Sequence, residues 1–101
     1  MSMESTDKEL VIWGTALEAV KAMYNFEKCG MKILYFLNSS CNISNFKGYE
    51  VFEPSKEVVS GKFIAVATTL NVYMSISETL KSWGLTEFDD FIYYEWIDIS
   101  A

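Results

Sequence analysis

Apolar residues in this chain form short uninterrupted runs, separated by stretches in which they recur at helical spacing. Three runs, at residues 10–13, 32–37 and 62–67, are rich in β-branched and aromatic residues. Apolar runs of this length are typical of strands that are covered on both faces, as the strands of parallel sheets are. The three runs are therefore predicted to be buried strands.

Two of the segments between these strands have the periodicity of amphipathic helices. The first covers residues 15–28, directly after Gly14, and ends before Gly30, a glycine position that commonly terminates a helix. The second follows the third strand and ends at Gly84. Its apolar face is predicted to consist of Val72, Ile76, Leu80 and Trp83.

The remaining predicted elements are shorter. Residues 49–52 are predicted to form an edge strand, a brief helical turn begins at Pro54, and residues 91–97 are predicted to form the last strand. Alternation of strands with helices implies parallel pairing through right-handed crossovers. The predicted fold is therefore an α/β domain with an open three-layer parallel sheet of four to five strands, which covers residues 10–101 and follows a flexible segment at residues 1–9.

The charge composition excludes several classes of function. The net charge is −6, all eight basic residues are lysines, and the chain contains neither histidine nor arginine. Nucleic-acid binding is not expected, because it relies on basic side chains that neutralise phosphates. Without histidine there is no Ser–His pair and no histidine metal ligand. No catalytic residue and no metal site is predicted, and the chain is not expected to be an enzyme on its own.

Targeting signals and cysteine spacing indicate the compartment. The first residues lack the pattern of a signal peptide, and no apolar run approaches the ~20 residues that a membrane span needs. Cys29 and Cys41 lack the spacing of a metal knuckle or a redox pair, and free thiols are typical of a reducing compartment. A cytoplasmic location without a membrane partner is predicted.

A ligand site is predicted at the carboxyl ends of the strands, where neighbouring crossovers of an open parallel sheet diverge to opposite faces. Small or polar residues follow each of the three buried strands. The predicted binding residues are Gly14, Thr15, Ala16, Asn38, Ser39, Thr68 and Thr69. For the two threonines the alternative is that they cap the next helix, because threonine is preferred at such positions. A small polar ligand is the predicted occupant.

The stretches VIWGTALEAVKAMYNFEKCGMKILYFLNSS, GYEVFEPSKEV, KFIAVATTL and LKSWGLTEFDDFIYY together extend over nearly the whole chain from Leu10 to about Ile97. In this order they resemble the small Rossmann-like domains attached to enzymes of bacterial surface-polysaccharide biosynthesis, among them sugar acyltransferases, epimerase relatives and some methyltransferases. The resemblance implies a Rossmann-like fold, with NAD or a nucleotide-sugar as the ligand.

The resemblance also implies roles for individual residues. In that family the first turn follows the pattern G-x-G-x-x-G/A. Gly14 takes the first position and Ala19 the third, while Ala16 stands at the second, where the backbone approaches a phosphate. Asn38 corresponds to the acidic residue that binds the ribose, and its amide lacks the strength of a charged acceptor.

The C-terminal segment is crowded with aromatic residues, namely Phe88, Phe91, Tyr93, Tyr94 and Trp96. Contiguous exposed aromatic side chains mark interaction surfaces. A homodimer or a partner domain is therefore predicted to pack against this segment, with simple core packing as an equal alternative.

Three functional hypotheses are consistent with the sequence. The first is a non-catalytic binding or regulatory module that acts beside a partner domain in sugar or surface-polymer metabolism. The second is a structural or oligomerisation domain with a vestigial ligand crevice. The third is a small enzyme of the dehydrogenase or transferase type, which the missing histidine and arginine disfavour.

Overall fold

The computed structural model of the chain describes residues 8–40 and 43–97. Most of the predicted flexible segment, and Cys41, lie outside the described residues. Within them the chain forms one α/β domain with six strands and three α-helices. The elements are β1 (Glu9–Trp13), α1 (Leu17–Lys28), β2 (Ile33–Leu37), β3 (Asn45–Phe46), β4 (Tyr49–Phe52), α2 (Lys56–Val59), β5 (Lys62–Val66), α3 (Leu70–Ser82), β6 (Phe91–Tyr93) and a final 3-10 turn (Tyr94–Trp96).

The strands form one sheet in the order β3-β4-β2-β1-β5-β6. All neighbouring pairs are parallel except β3 and β4, which are antiparallel. The predicted α/β class and parallel pairing of the buried strands are confirmed. The prediction of four to five strands is wrong, since the sheet has six. The additional strand, β3, has two residues and is too short to leave a hydrophobic pattern in the sequence. Strand β3 also moves β4 from the predicted edge to an inner position.

A tight turn joins β3 to β4. Lys47 and Gly48 have positive φ angles of 53° and 92°, the conformation that the preferred two-residue hairpin turns require. The amide of Gly48 donates a hydrogen bond to Oδ1 of Asn45 over 3.2 Å. Residues 45–52 therefore form a β-hairpin, although its first strand has only two residues.

Alternate residues of β1 belong to two different hydrophobic clusters. Leu10 and Ile12 pack in a cluster that includes buried residues of α1, whereas Val11 and Trp13 pack in a cluster that includes buried residues of α3. All four side chains are buried. Because both sets of side chains are covered, the four positions from Leu10 to Trp13 must be apolar. This explains the uninterrupted run at residues 10–13, whereas Glu9, the first residue of the strand, is exposed.

The last predicted strand is shorter than expected. Strand β6 ends at Tyr93, and the next three residues turn instead of extending the strand. The turn places the ring centroid of Trp96 5.3 Å from that of Tyr73 and 5.2 Å from that of Tyr93. Edge-to-face packing of this kind stabilises the turned conformation. An aromatic-rich sequence favours a strand locally, so only the tertiary contacts reveal the turn.

Tyrosine hydroxyls connect elements that are distant in sequence. Tyr49 donates to the carboxylate of Glu27, and Tyr73 donates to the carboxylate of Glu87. The hydrogen bond to Glu27 is the largest cause that raises the pKa of Tyr49 to about 12. Burial is the largest cause that raises the pKa of Tyr73, followed by its hydrogen bond to Glu87. Ionisation of either tyrosine is therefore less favourable in the folded chain than in the unfolded chain.

The free energy of unfolding is expected to fall at alkaline pH. Both tyrosines have an ordinary pKa of 10.0, so the unfolded chain releases its protons first as the pH rises. The stabilisation is complete below pH 10.0 and is lost as the pH rises toward the raised folded-state pKa values. Urea unfolding at a series of alkaline pH values measures the slope. Tyr73→Phe is expected to reduce that slope, and an unchanged slope in this variant would contradict the interpretation.

Candidate functional site

A cavity of about 620 Å³ lies at the carboxyl ends of β1, β2, β4 and β5. It is on the side of the sheet that α3 occupies, because Trp13 and Leu37 line it and both belong to the cluster that contains the buried residues of α3. Its volume falls within the range of about 300–1,000 Å³ that is typical of small-molecule sites. The cavity is at the edge of the sheet where the sequence predicts a ligand.

Backbone hydrogen bonds past the ends of the strands align this edge. The amide of Gly14 donates to the carbonyl oxygen of Leu37 over 2.9 Å, and the amide of Ala67 donates to the carbonyl oxygen of Trp13 over 2.9 Å. The hydrogen-bond ladder therefore continues beyond β1, and the first residues after the central strands lie side by side.

Gly14 has a structural reason to be glycine. Its φ angle is 139°, and a Cβ atom at this position would lie 2.3 Å from the carbonyl oxygen of Ala67. A contact this short with a backbone atom cannot be relieved by a side-chain rotation. Close approach of the chain leaving β1 to the chain leaving β5 thus requires glycine here, independently of any ligand.

Asn38 organises the loop after β2. Its Nδ2 donates to Oγ1 of Thr15 over 2.6 Å, and its Oδ1 accepts hydrogen bonds from the amide of Ser40 over 2.8 Å and from Oγ of Ser40 over 2.6 Å. Both ends of the amide are therefore engaged with the protein. Asn38 joins the loop after β1 to the loop after β2, and this arrangement holds both loops at the rim of the cavity.

The cavity brings together five of the seven predicted binding residues, namely Gly14, Thr15, Asn38, Ser39 and Thr68. Ala16 and Thr69 are not among its lining residues. They are the N-cap residues of α1 and α3, and both are exposed.

The structure corrects the predicted capping by the two threonines. Thr69 occupies the N-cap position of α3, but no side chain makes a capping hydrogen bond there. The hydroxyl of Thr68 donates instead to the carbonyl oxygen of Thr69 over 3.0 Å. Helix α1 likewise begins after Ala16 without a side-chain cap, two residues later than predicted.

Sequence reasoning missed one wall of the cavity, here called the α3 wall, which consists of Val72, Ser75, Ile76, Thr79 and Trp83. Three of its members belong to the stripe predicted to face the core. Of the predicted stripe, Ile76 and Leu80 are buried, together with Tyr73 and Ser77, whereas Val72 and Trp83 are not. Two polar residues could have indicated this wall from the sequence. Ser75 and Thr79 recur at helical spacing beside apolar residues that are otherwise typical of a core-facing surface.

The short crossover between β4 and β5 leaves the α3 wall uncovered. A right-handed connection between these strands must pass over β2 and β1. It contains only the four-residue α2, of which Val59 is the buried residue. Val59 belongs to the same cluster as the buried residues of α3, so this short helix lies on the side of the sheet where the cavity lies.

The cavity has mostly apolar and hydroxyl-bearing walls. Among its lining residues in the described part of the chain, Glu53 alone carries a charged side chain. Glu53 is exposed, directly follows β4, and precedes Pro54, which also lines the cavity. The site therefore carries a negative charge and no lysine among these residues.

Comparison with protein-family models and with curated proteins gave no match to this chain. The resemblance to polysaccharide-biosynthesis domains is therefore an expectation from the sequence motifs alone. In residues 8–40 and 43–97, none of the helices has the length and apolar character needed to cross a bilayer.

The aromatic C-terminal segment divides between core and surface. Phe91 and Tyr93 are buried, whereas Phe88 is 50% exposed and Trp96 is 45% exposed. The ring centroids of these two exposed residues are 6.4 Å apart. Core packing thus accounts for part of the segment, and one small aromatic patch stays at the surface.

Proposed function

We propose that this chain is a non-catalytic binding module that holds a small ligand in the cavity at the carboxyl ends of β1, β2, β4 and β5. The observation that carries the proposal is the position of the cavity. In open α/β sheets, ligands bind outside the carboxyl ends of the strands where the crossovers diverge. A cavity of about 620 Å³ at that edge is large enough for such a ligand.

The proposal includes a Rossmann-like three-layer arrangement. Its support is the division of the core: buried residues of α1 pack in one cluster with Leu10 and Ile12, and buried residues of α3, together with Val59 of α2, pack in the other. Crossovers that diverge in this way on either side of β1 create the crevice that ligands use.

The chemistry of the lining supports binding rather than catalysis. A hydroxyl group becomes a useful nucleophile when a general base lies beside it. The hydroxyl oxygen of Thr15 accepts a hydrogen bond from the amide of Asn38, and the hydroxyl of Thr68 donates to a backbone carbonyl. These contacts position the loops but activate neither oxygen.

The ligand implied by the sequence resemblance is a nucleotide or a nucleotide-sugar, and the implied context is sugar or surface-polymer metabolism. Both stay hypotheses within the proposal. A ligand library for this chain therefore includes nucleosides, nucleotides and nucleotide-sugars, together with uncharged sugars and amines that carry no phosphate group.

Filling the cavity tests the proposal. Ser75 is exposed and lines the cavity, so Ser75→Trp is expected to occupy space along the α3 wall without disturbing the core. Ser82→Trp is the matched control, because Ser82 is an exposed serine on the same helix and is not a lining residue. Ligand-observed NMR with the library is expected to identify binders that Ser82→Trp retains and Ser75→Trp loses.

Two outcomes of that experiment would overturn the proposal. The first is a library in which no compound binds the wild-type chain. The second is a set of binders that Ser75→Trp retains as fully as Ser82→Trp does. Circular dichroism of both variants separates loss of the site from loss of the fold.

A structural or oligomerisation role is the second candidate. The exposed pair Phe88 and Trp96 favours it, because adjacent exposed aromatic side chains are enriched at protein interfaces. Sedimentation equilibrium tests this role directly, and a monomer at the highest soluble concentration would contradict self-association.

A further inference from the structure

Glu53 is an unneutralised charge at the rim of the cavity. The ion pairs among the described residues join Lys8 to Asp90, Lys62 to Glu9 and Lys81 to Glu87. All eight lysines of the chain lie within the described residues, and the chain contains no arginine or histidine. No basic side chain therefore pairs with Glu53.

This charge disfavours an anionic ligand. A phosphate group in the cavity would meet the carboxylate of Glu53 without a lysine among the described lining residues to offset it. The net charge of −6 adds a long-range field of the same sign. Conversely, a cation in the cavity is stabilised both by the carboxylate of Glu53 and by the negative field of the whole chain.

The two longer helices that begin at this edge, α1 and α3, do not reverse that preference. Helix α1 already has an acidic residue, Glu18, in its first turn. The N-cap residues Ala16 and Thr69 are not lining residues. The α3 wall extends from Val72, in the first turn of α3, to Trp83, its C-cap residue. The cavity therefore runs along this helix, and neither end of its dipole alone faces the ligand.

The apolar part of the lining suits the body of an organic cation. Val72, Ile76 and Trp83 form an apolar surface on the α3 wall, and Trp13 lines the cavity from β1. Indole rings also attract cations through the negative charge density on their faces. A carboxylate and an apolar surface in the same cavity are the combination that recognises an amine attached to an apolar or aromatic group.

We propose that the cavity selects an organic cation, in which an ammonium group pairs with Glu53 and an apolar body lies against the α3 wall. This inference rests on the proposed function and names its ligand class. It replaces the phosphate-bearing ligand that the sequence resemblance implies.

The test uses three probes with similar aromatic bodies: 2-phenylethylammonium, the neutral 2-phenylethanol and the anionic 3-phenylpropionate. Dissociation constants are measured by NMR titration of the full chain. Because Glu53 is exposed and ion pairs between exposed groups are weak, we expect the cation to bind about two- to fivefold more tightly than the alcohol. The anion is expected to bind most weakly.

Glu53→Gln is expected to bring the cation-to-alcohol ratio close to one. Glu57→Gln is the matched control, because it changes the net charge equally at an exposed residue of α2 that is not a lining residue. It is expected to retain the preference for the cation. An equal loss in both variants would show attraction by the overall field and would overturn the assignment of Glu53.

The outcomes separate this inference from the proposed function. If the alcohol binds as tightly as the cation, and Ser75→Trp abolishes both, the cavity is a ligand site but the inference is wrong. If adenosine monophosphate binds more tightly than adenosine, the inference is also wrong. If neither the library nor the three probes bind, the proposed function fails together with it.

Discussion

Replacement of Gly14 by alanine is expected to destabilise the fold by about 3–5 kcal/mol. Part of this loss comes from the φ angle of 139°, because a non-glycine residue in such a conformation costs roughly 1–3 kcal/mol. The rest comes from the added Cβ, which would lie 2.3 Å from the carbonyl oxygen of Ala67. To relieve that contact, the chain after β1 must move away from the chain after β5.

Gly30→Ala is the matched control for this experiment. Gly30 also has a positive φ angle, 78°, but a Cβ there would meet nothing within 4 Å. Its loss is expected to be about 1 kcal/mol, from the conformational preference alone. Urea unfolding followed by circular dichroism gives both values, and similar losses in the two variants would contradict the close approach at Gly14.

Leu80→Ala is expected to lower the free energy of unfolding by about 2–5 kcal/mol, the range for buried leucines that leave a cavity. Leu80 is 0% exposed and packs in the cluster of α3 with Tyr73 and Val66. Leu70→Ala makes the same substitution on the same helix at a residue that is 47% exposed, so its loss should stay near or below about 1 kcal/mol.

This pair of variants tests which face of α3 packs on the sheet. The two substitutions have equal effects on helix propensity, and the difference between them therefore reports burial. If Leu80→Ala were as stable as Leu70→Ala, the face of α3 that packs on the sheet would have to be a different one. The α3 wall of the cavity would then also lose its position.

Much of the fold could be predicted from the sequence because burial on two sides leaves a direct pattern. Strand β1 is apolar at its four buried positions, and α1 has apolar residues at helical spacing followed by Gly30. In each case the spacing of the apolar residues along the chain corresponds to one pattern of burial, on both faces of the strand or on one face of the helix. β3 leaves no such record, because a strand of two residues has no period.

The predicted stripe on α3 shows where periodicity becomes ambiguous. Val72, Ile76 and Trp83 have the spacing of a core-facing surface, yet Val72 is 47% exposed and all three line the cavity. An apolar helix face that packs on a sheet and one that faces a cavity have the same period. The arrangement of the neighbouring elements, which the period of α3 does not contain, determines which of the two occurs.

By itself, the sequence determined the α/β class, the three buried parallel strands and the edge of the sheet at which polar loops meet. These features depend on local patterns of burial and on glycine positions. Only the tertiary structure decided that Gly14 is required by the carbonyl of Ala67, that Asn38 is engaged with Thr15 and Ser40, and that Glu53 is the charge in the cavity. The physical reason is that Gly14 meets Ala67, Asn38 meets Thr15, and Glu53 joins the cavity lining across loops that follow different strands, so these features depend on distances that no local pattern contains.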